Sequence, residues 1–150
     1  MTEDGFSENY VRLPHGDPNY RFCPVCSFRL HTEMVKPSEP ERLVCGRCRF
    51  VFYLDPKVAV GTLGTLDGKV VLLRRGIEPA YGRWVFPGGY VNRGEALKDA
   101  GIRETREEVN LDVKIDSLLN VYSYPGRPVI LVVYAVSVIG GELRAGDEAI

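Results

Sequence analysis

The sequence predicts an α/β or α+β layered domain that follows a small cysteine-rich ribbon. Three observations predict this fold class. Two Cys-x-x-Cys pairs stand early in the chain, β-forming segments fill most of the rest, and one long helical segment, residues 95–109, interrupts them. A chain of 150 residues suits one such domain with a metal-stapled module in front of it.

Composition and charge exclude several classes of protein. The chain carries 19 basic and 20 acidic side chains, a net charge of −1, so it is not a polycation for nucleic acid or acidic membranes. Its acidic, polar start is unlike a secretory signal. Its longest apolar run, residues 129–138, is too short to cross a bilayer. We therefore expect a cytoplasmic protein without a membrane partner.

The N-terminal part reads as an arm, residues 1–20, followed by a ribbon, residues 21–55. The ribbon holds all four cysteines: Cys23, Cys26, Cys45 and Cys48. Each pair forms a tight turn that directs two thiolates to one point, and four sulfurs make the tetrahedral set of a structural zinc site. Disulfides, a redox pair or free thiols are the alternatives, and the lack of a secretory signal disfavours disulfides. We expect Gly46 to let the second turn fold under the metal.

The remaining elements follow from local patterns. Between the cysteine pairs, residues 31–36 and 41–44 predict two strands with a turn at 37–40. Asp67-Gly68 predicts a hairpin between residues 58–66 and 69–74. Residues 84–86 predict a short strand, 111–124 one or two strands, and 129–138 a buried strand before a Gly140-Gly141 turn. The helix at 95–109 should end at Asn110, which tolerates the left-handed conformation. Residues 56–150 thus form the larger domain.

One face of the predicted helix is unusually acidic. Glu104, Glu107 and Glu108 are spaced i, i+3 and i+4, where like charges cost about 0.2–0.5 kcal/mol per pair. They also lie near the helix C-terminus, where the macrodipole disfavours negative charge. A solvated charged face paired with Arg103 and Arg106 is one interpretation. Ligation of a hard cation such as Mg²⁺ or Mn²⁺ by the carboxylates is the other.

The joint spacing resembles a known signature. From Gly89 the chain runs Gly-x5-Glu95-x7-Arg103-Glu-x2-Glu-Glu108, which resembles the Nudix box, and the Trp84-Val-Phe-Pro-Gly-Gly approach is similar too. Two positions depart from the pattern. Thr105 stands where a larger apolar residue is frequent, and Asn110 stands where the pattern has glycine.

The resemblance implies a fold and a chemistry. The fold would be an α/β/α sandwich around a mixed sheet, and the reaction would be attack of water on one phosphorus of a pyrophosphate bridge. Mg²⁺ or Mn²⁺ would be held by Glu104, Glu107, Glu108 and the Gly88 carbonyl, with Gly89 giving the backbone close access. Arg103 and Glu95 would form a supporting ion pair. The base would be Glu104, or Glu148 from a later loop. The four-cysteine ribbon places the resemblance in the branch that includes NADH, FAD and ADP-ribose pyrophosphatases.

Candidate substrate contacts are fewer. Trp84 and Tyr124 are candidates to stack on a base, with packing in the core or on a strand face as the commoner alternative. Arg127 is a candidate phosphate contact, and a solvated loop arginine is equally consistent with the sequence. The expected substrate is a small dinucleotide or a nucleoside diphosphate derivative.

Two other functions were weighed. The ribbon could be a nucleic-acid module, but residues 21–57 carry seven basic and four acidic side chains, and zinc with four thiolates adds about −2. We therefore expect no nucleic-acid partner. An inactive Nudix fold that senses a nucleotide would be expected to lack box glutamates, and all are present. The Nudix fold normally continues through another strand and helix, so a fragment and a short member both stay open, as do a monomer and a homodimer.

Overall fold

A computed structural model of the chain describes residues 20–78, 80–146 and 148–150. The predicted N-terminal arm lies outside the described residues, apart from Tyr20. The chain divides into two compact units, with the division between Asp55 and Pro56.

The first unit is a three-stranded antiparallel ribbon. Its strands, in the order β1-β2-β3, are β1 (Leu30–Glu33), β2 (Arg42–Cys45) and β3 (Val51–Phe52). The two strands predicted between the cysteine pairs are confirmed, and β3 is an addition that pairs Val44 with Val51. Val44 and Cys45 are fully buried, so this small unit has its core directly beneath the second cysteine pair.

The second unit is built around a mixed sheet. Its elements are β4 (Lys57–Leu66), β5 (Lys69–Val70), β6 (Leu73–Arg74), β7 (Trp84–Val85), β8 (Gly88–Tyr90), α1 (Leu97–Val109), β9 (Leu111–Ser123) and β10 (Val129–Gly141). The sheet order is β5-β4-β10-β9, and β8 also pairs with β4. Strands β4 and β10 are parallel and the other pairs are antiparallel, which confirms the predicted α/β class with a mixed sheet.

Helix α1 packs on one face of this sheet. The buried residues between them include Val60, Ala100, Leu111, Val132 and Tyr134. In the part of the chain that the structure describes, α1 is the one α-helix, so the second helical layer of a full sandwich is not among these elements. No helix in the described residues is long and apolar enough to span a membrane, since α1 has 13 residues.

Several element boundaries test the local predictions. The Asp67-Gly68 hairpin is confirmed, with φ of 51° and 75° at the two turn residues. The predicted strand at 69–74 is instead two short strands, β5 and β6, with different partners. The predicted Gly140-Gly141 turn is wrong, because both glycines continue β10 in register with β9.

The helix begins later than its pattern predicts and ends where expected. Glu95 lies in the turn before α1, where its carboxylate accepts the Asn92 N–H at 2.9 Å. At the other end Asn110 adopts φ 56° and ψ 32°, so the predicted left-handed stop is confirmed.

Candidate active site and cysteine cluster

The four cysteines of the ribbon converge on one point. Their Sγ atoms all lie within 4.8 Å of one another. The Cys23–Cys48 and Cys26–Cys45 sulfur pairs are 3.6 and 3.4 Å apart. Around a tetrahedral ion with Zn–S distances near 2.3 Å, neighbouring sulfurs would be about 3.8 Å apart. The donor set therefore fits a structural zinc ion without rearrangement of the backbone.

The two Cys-x-x-Cys turns are built alike. The residue after each pair, Ser27 or Arg49, adopts a left-handed conformation with φ of 58° or 60°. Gly46, which we expected to let the second turn fold under the metal, is not among the residues with positive φ. Its lack of a side chain instead leaves room for Phe28, whose Cε1 would lie 3.2 Å from an added Cβ.

Backbone N–H groups prepare the Cys45 sulfur for ionisation. Burial opposes ionisation of the Cys45 thiol. The N–H groups of Cys48 and Arg47 point at its sulfur, both at 3.4 Å, and the net effect lowers its pKa to about 6. A thiol of this kind is readily deprotonated for metal binding near neutral pH.

On the second unit, Arg103 organises the acidic face of α1. Its guanidinium binds Glu95 twice, at 2.8 and 3.0 Å. It also contacts Glu104 at 2.7 Å and Glu107 at 2.9 Å. These partners raise the pKa of Arg103, and the hydrogen bonds from Arg103 and then Asn92 lower the pKa of Glu95 to about 2. The ion pair between Arg103 and Glu95 thus links the turn before α1 to its acidic face.

Two consecutive glycines on β8 bring backbone against that face. The N–H of Gly88 donates to Glu108 at 2.7 Å. The carboxylate of Glu104 lies so close to Gly89 that an added Cβ would be 2.5 Å from its Oε2. The pairing of Gly88 with Gly61 on β4 sets the position of the β8 backbone. A side chain on Gly88 would not fit there, since its Cβ would strike the Val60 carbonyl. Only glycines permit this approach.

Glu108 is the buried member of the acidic cluster, at 5% exposure. Burial raises the pKa of its carboxyl to about 7. The hydrogen bond from Gly88 opposes this rise, and the charges of Glu104 and Glu148 add to it. A buried carboxylate beside other negative charges is relieved by a cation, and its oxygens suit Mg²⁺ or Mn²⁺. The donor set therefore fits a hard divalent ion.

The glutamates are not gathered as tightly as the cysteines. Within residues 20–78, 80–146 and 148–150, the four cysteines are the one group of three or more acidic, histidine or cysteine residues whose ligand atoms lie close enough together to hold a metal ion. Glu104 and Glu107 turn to Arg103, whereas Glu108 turns to Gly88. Closing three carboxylates on one ion would require side-chain rotations, which the exposed Glu107 permits most easily.

The later loop brings Glu148 to the same region. Its carbonyl accepts the Gly76 N–H at 2.7 Å, and its side chain is exposed. Its negative charge adds to the rise in the pKa of Glu108 that burial causes. Two residues that the sequence argument did not assign to the site, Asn110 and Gly146, connect this loop to α1. For Asn110 there were two sequence signals, the predicted left-handed end of the helix and the departure from the glycine of the Nudix pattern.

The candidate substrate residues lie on strand ends and turns. Trp84 is on β7 opposite Arg74, and Tyr124 and Arg127 are in the turn between β9 and β10. Trp84 is 67% exposed and Tyr124 61% exposed, so packing in the core is wrong for both, and packing on a strand face is the alternative that remains. Exposed aromatic rings are available for stacking, and their role toward a substrate stays a prediction.

Comparisons with known proteins agree with this geometry. Residues 55–149 match the NUDIX domain model, and residues 21–54 match the model of the Nudix N-terminal zinc ribbon. A solved NUDIX hydrolase from Nitrosomonas europaea superposes with a TM-score of 0.82 at 30% identity, over 87% of this chain and 74% of that one.

Two curated relatives carry named activities. An ADP-ribose pyrophosphatase of Methanocaldococcus jannaschii is 44% identical over 105 residues, which are 67% of this chain and 62% of the relative. A NAD-capped RNA hydrolase NudC of Yersinia enterocolitica is 24% identical over 135 residues, which are 89% of this chain and 49% of the relative. The chain therefore spans less than two thirds of either protein.

Proposed function

The chain belongs to the Nudix family, and from that premise we propose that it is a divalent-metal-dependent pyrophosphatase acting on a nucleoside diphosphate linked to another moiety. The single observation that carries the proposal is the buried Glu108 carboxylate. It is held by the Gly88 N–H on the same helix face as Glu104 and Glu107. Arg103 pairs with Glu104 and Glu107, so the charge that remains to be explained is that of the buried Glu108, and a ligand of opposite charge explains it best.

The proposed metal site consists of Glu104, Glu107, Glu108 and the Gly88 carbonyl. Mg²⁺ or Mn²⁺ bound there would polarise the phosphoryl oxygens, make hydroxide available near neutral pH and neutralise the leaving phosphate. The chain's own residues have distinct parts. Arg103 with Glu95 orients the helix face, and Gly88 and Gly89 allow the β8 backbone to come close to the metal site. Glu148 or Glu104 accepts the proton of the attacking water.

ADP-ribose is the substrate that we propose to test first. The support is the M. jannaschii relative, whose name states that activity, at 44% identity. NADH and FAD remain in the same substrate class. Exposed Trp84 and Tyr124 are proposed to stack on a base, and Arg127 to contact a phosphate.

The ribbon is proposed to hold one structural zinc ion on its four cysteines. The separation of the sulfurs supports this assignment, as does the match of residues 21–54 to the Nudix zinc ribbon. We assign residues 1–20 to an arm, 21–55 to this ribbon and 56–150 to the Nudix domain. No nucleic-acid partner is proposed, and a salt-dependent mobility shift with random RNA would contradict that assignment.

A substrate panel tests the enzymatic proposal. The panel contains ADP-ribose, NADH, NAD⁺, FAD and a diadenosine polyphosphate, each with Mg²⁺ or Mn²⁺, and mononucleotide release is measured. Glu107→Gln is the informative variant, because the side chain of Glu107 is 58% exposed and its loss spares the core. We expect kcat to fall at least about 100-fold. Glu41→Gln, on the ribbon, is the matched charge control and should retain full activity.

The outcomes separate the two candidate classes. Cleavage of one member of the panel that requires added metal and is lost in Glu107→Gln supports the proposal and names the substrate. Binding of ADP-ribose without cleavage of any panel member would overturn it in favour of a nucleotide sensor. Cleavage at an equal rate in Glu107→Gln would overturn the assignment of the metal site.

A further inference from the structure

The segment after β10 is docked on the C-terminal end of α1. The N–H of Arg144 donates to the Val109 carbonyl at 3.2 Å, and the N–H of Gly146 donates to the Glu108 carbonyl at 2.9 Å. These bonds satisfy carbonyls that a helix end otherwise leaves without an intrahelical partner. Residues 142–146 therefore act as a cap laid over the end of the helix that bears the acidic cluster.

Gly146 allows the backbone of the cap to approach the backbone of α1 closely. A Cβ at this position would collide with the Glu107 carbonyl and lie 3.0 Å from the Glu108 Cα. The chain next turns back, with the Ala149 N–H donating to the Gly146 carbonyl at 3.2 Å. Glu148 stands in this turn. Its own carbonyl is held by the Gly76 N–H at 2.7 Å, so its backbone lies between α1 and the chain after β6.

Asn110 ties the cap to the helix through its side chain. Its Nδ2 donates to the Glu142 carbonyl at 2.8 Å, and its Oδ1 accepts from Arg144 Nη2 at 3.5 Å. The backbone alone does not require asparagine, because glycine adopts φ 56° with less strain. The amide group therefore has a purpose that the glycine of the Nudix pattern lacks.

We infer that Asn110 is a positioning residue that holds residues 142–146 and 148–150, and with them Glu148, against the acidic end of α1. The inference rests on the proposed function in one respect, namely that Glu148 takes part in proton transfer during hydrolysis. Asn110 touches neither substrate nor metal in this account. It acts through the backbone of Glu142 and the side chain of Arg144, by reducing the conformations open to the turn that carries Glu148.

The test uses Asn110→Gly, because glycine retains the left-handed helix end and removes only the amide group. Asn110→Asp is the second variant, since it keeps the oxygen toward Arg144 and loses the donor to Glu142. Amide hydrogen exchange in the full-length zinc-bound protein gives a readout that is independent of activity. We expect the Gly146 and Gly76 amides to exchange at least about tenfold faster in both variants. The amides in the middle of α1 should stay protected.

The kinetic arm asks whether Asn110 acts through Glu148. With ADP-ribose and Mg²⁺, Asn110→Gly should lower kcat about 10- to 100-fold with little change in KM. In a Glu148→Gln background the same substitution should change kcat by less than about twofold, because the group that it positions is already lost.

The exchange experiment tests the positioning role of Asn110, and the kinetic experiment tests its link to Glu148. Unchanged exchange at Gly146 and Gly76 in Asn110→Gly would overturn the positioning role whatever the activity. Faster exchange with an equal loss of kcat in both backgrounds would show that Asn110 affects the reaction by another route, and would overturn the link to Glu148. A wild-type protein that hydrolyses no substrate refutes the proposed function, while the exchange experiment still decides the positioning role.

Discussion

We expect Thr105→Val to destabilise the second unit because it leaves a buried hydroxyl without its acceptor. Thr62 on β4 and Thr105 on α1 are each 2% exposed, and their Oγ1 atoms are 2.6 Å apart. Thr105 Oγ1 donates its proton to the Gly101 carbonyl at 2.7 Å. The proton between the two hydroxyls is therefore the one on Thr62, and Thr105 is its acceptor.

The free-energy cost of each substitution follows from these roles, since Thr62 is the donor and Thr105 the acceptor. Loss of the acceptor for a buried hydroxyl costs about 1–3 kcal/mol, and valine has nearly the same shape as threonine, so no cavity term is added. Thr62→Val should cost less, about 0.5–1.5 kcal/mol, because Thr105 keeps its bond to Gly101. The double variant removes both hydroxyls without a change in shape. We expect it to cost about 1–2 kcal/mol less than the sum of the two single variants.

Urea unfolding of the zinc-saturated protein measures these free energies. Far-ultraviolet circular dichroism follows the helical signal, which in the described part of the chain comes from α1. Each kcal/mol should lower the Tm of a unit of this size by about 4–8 °C, so heat unfolding gives a second estimate. The four proteins form a double-mutant cycle whose coupling energy isolates the hydroxyl pair.

Additive changes in the free energy of unfolding would refute the proposed dependence of the two hydroxyls on each other. If the double variant costs the sum of the single ones within about 0.5 kcal/mol, the hydroxyls do not depend on each other. A Thr105→Val protein as stable as wild type would show that the Thr62 hydroxyl finds another partner.

Three further predictions concern the site, the pH dependence and the ribbon. Gly89→Ala places a methyl 2.5 Å from Glu104 Oε2, so we expect kcat to fall about 10- to 100-fold. Its free energy of unfolding should change by less than about 1 kcal/mol, because the carboxylate can rotate away; a stable, fully active variant would contradict this. The pKa of Glu95, held at about 2 by Arg103, lies below its usual 4.5. Its contribution to stability is therefore present above pH 4.5 and lost as the pH falls toward 2. Glu95→Gln should be less stable than wild type above pH 4.5, and urea midpoints that fail to converge at lower pH would refute this. Removal of metal by a chelator should make the four cysteine thiols reactive while α1 keeps its helical signal, because the ribbon is a separate compact unit. Equal thiol reactivity before and after chelation would contradict a zinc site.

Patterns of short range were predicted well. The two Cys-x-x-Cys turns, the Asp67-Gly68 hairpin and the left-handed end at Asn110 each depend on a few neighbouring residues. The acidic face of α1 also follows from helical spacing alone. Errors appear where a distant partner decides the outcome. The strand expected at 69–74 is divided because β5 pairs with β4 whereas β6 pairs with β7.

The two departures from the Nudix pattern show the same limit. The sequence marks Thr105 and Asn110 as unusual, yet it gives no reason for the polar side chain of either residue. The structure supplies both reasons, since Thr105 meets Thr62 of β4 and Asn110 binds the carbonyl of Glu142. In each case the unusual residue has gained a polar partner that the frequent residue would lack.

The sequence by itself determined the four sulfurs, the order of the main elements and the helix face that carries the glutamates. Spacing along a turn or a helix sets those features, so no distant contact is needed. Only the tertiary structure decided that Glu108 is buried, that Gly88 donates to it, and that the loop with Glu148 reaches the end of the same helix. These features depend on β8 pairing with β4 and on the segment after β10 returning to α1. They arise when the sheet assembles and brings together residues that are far apart in the chain.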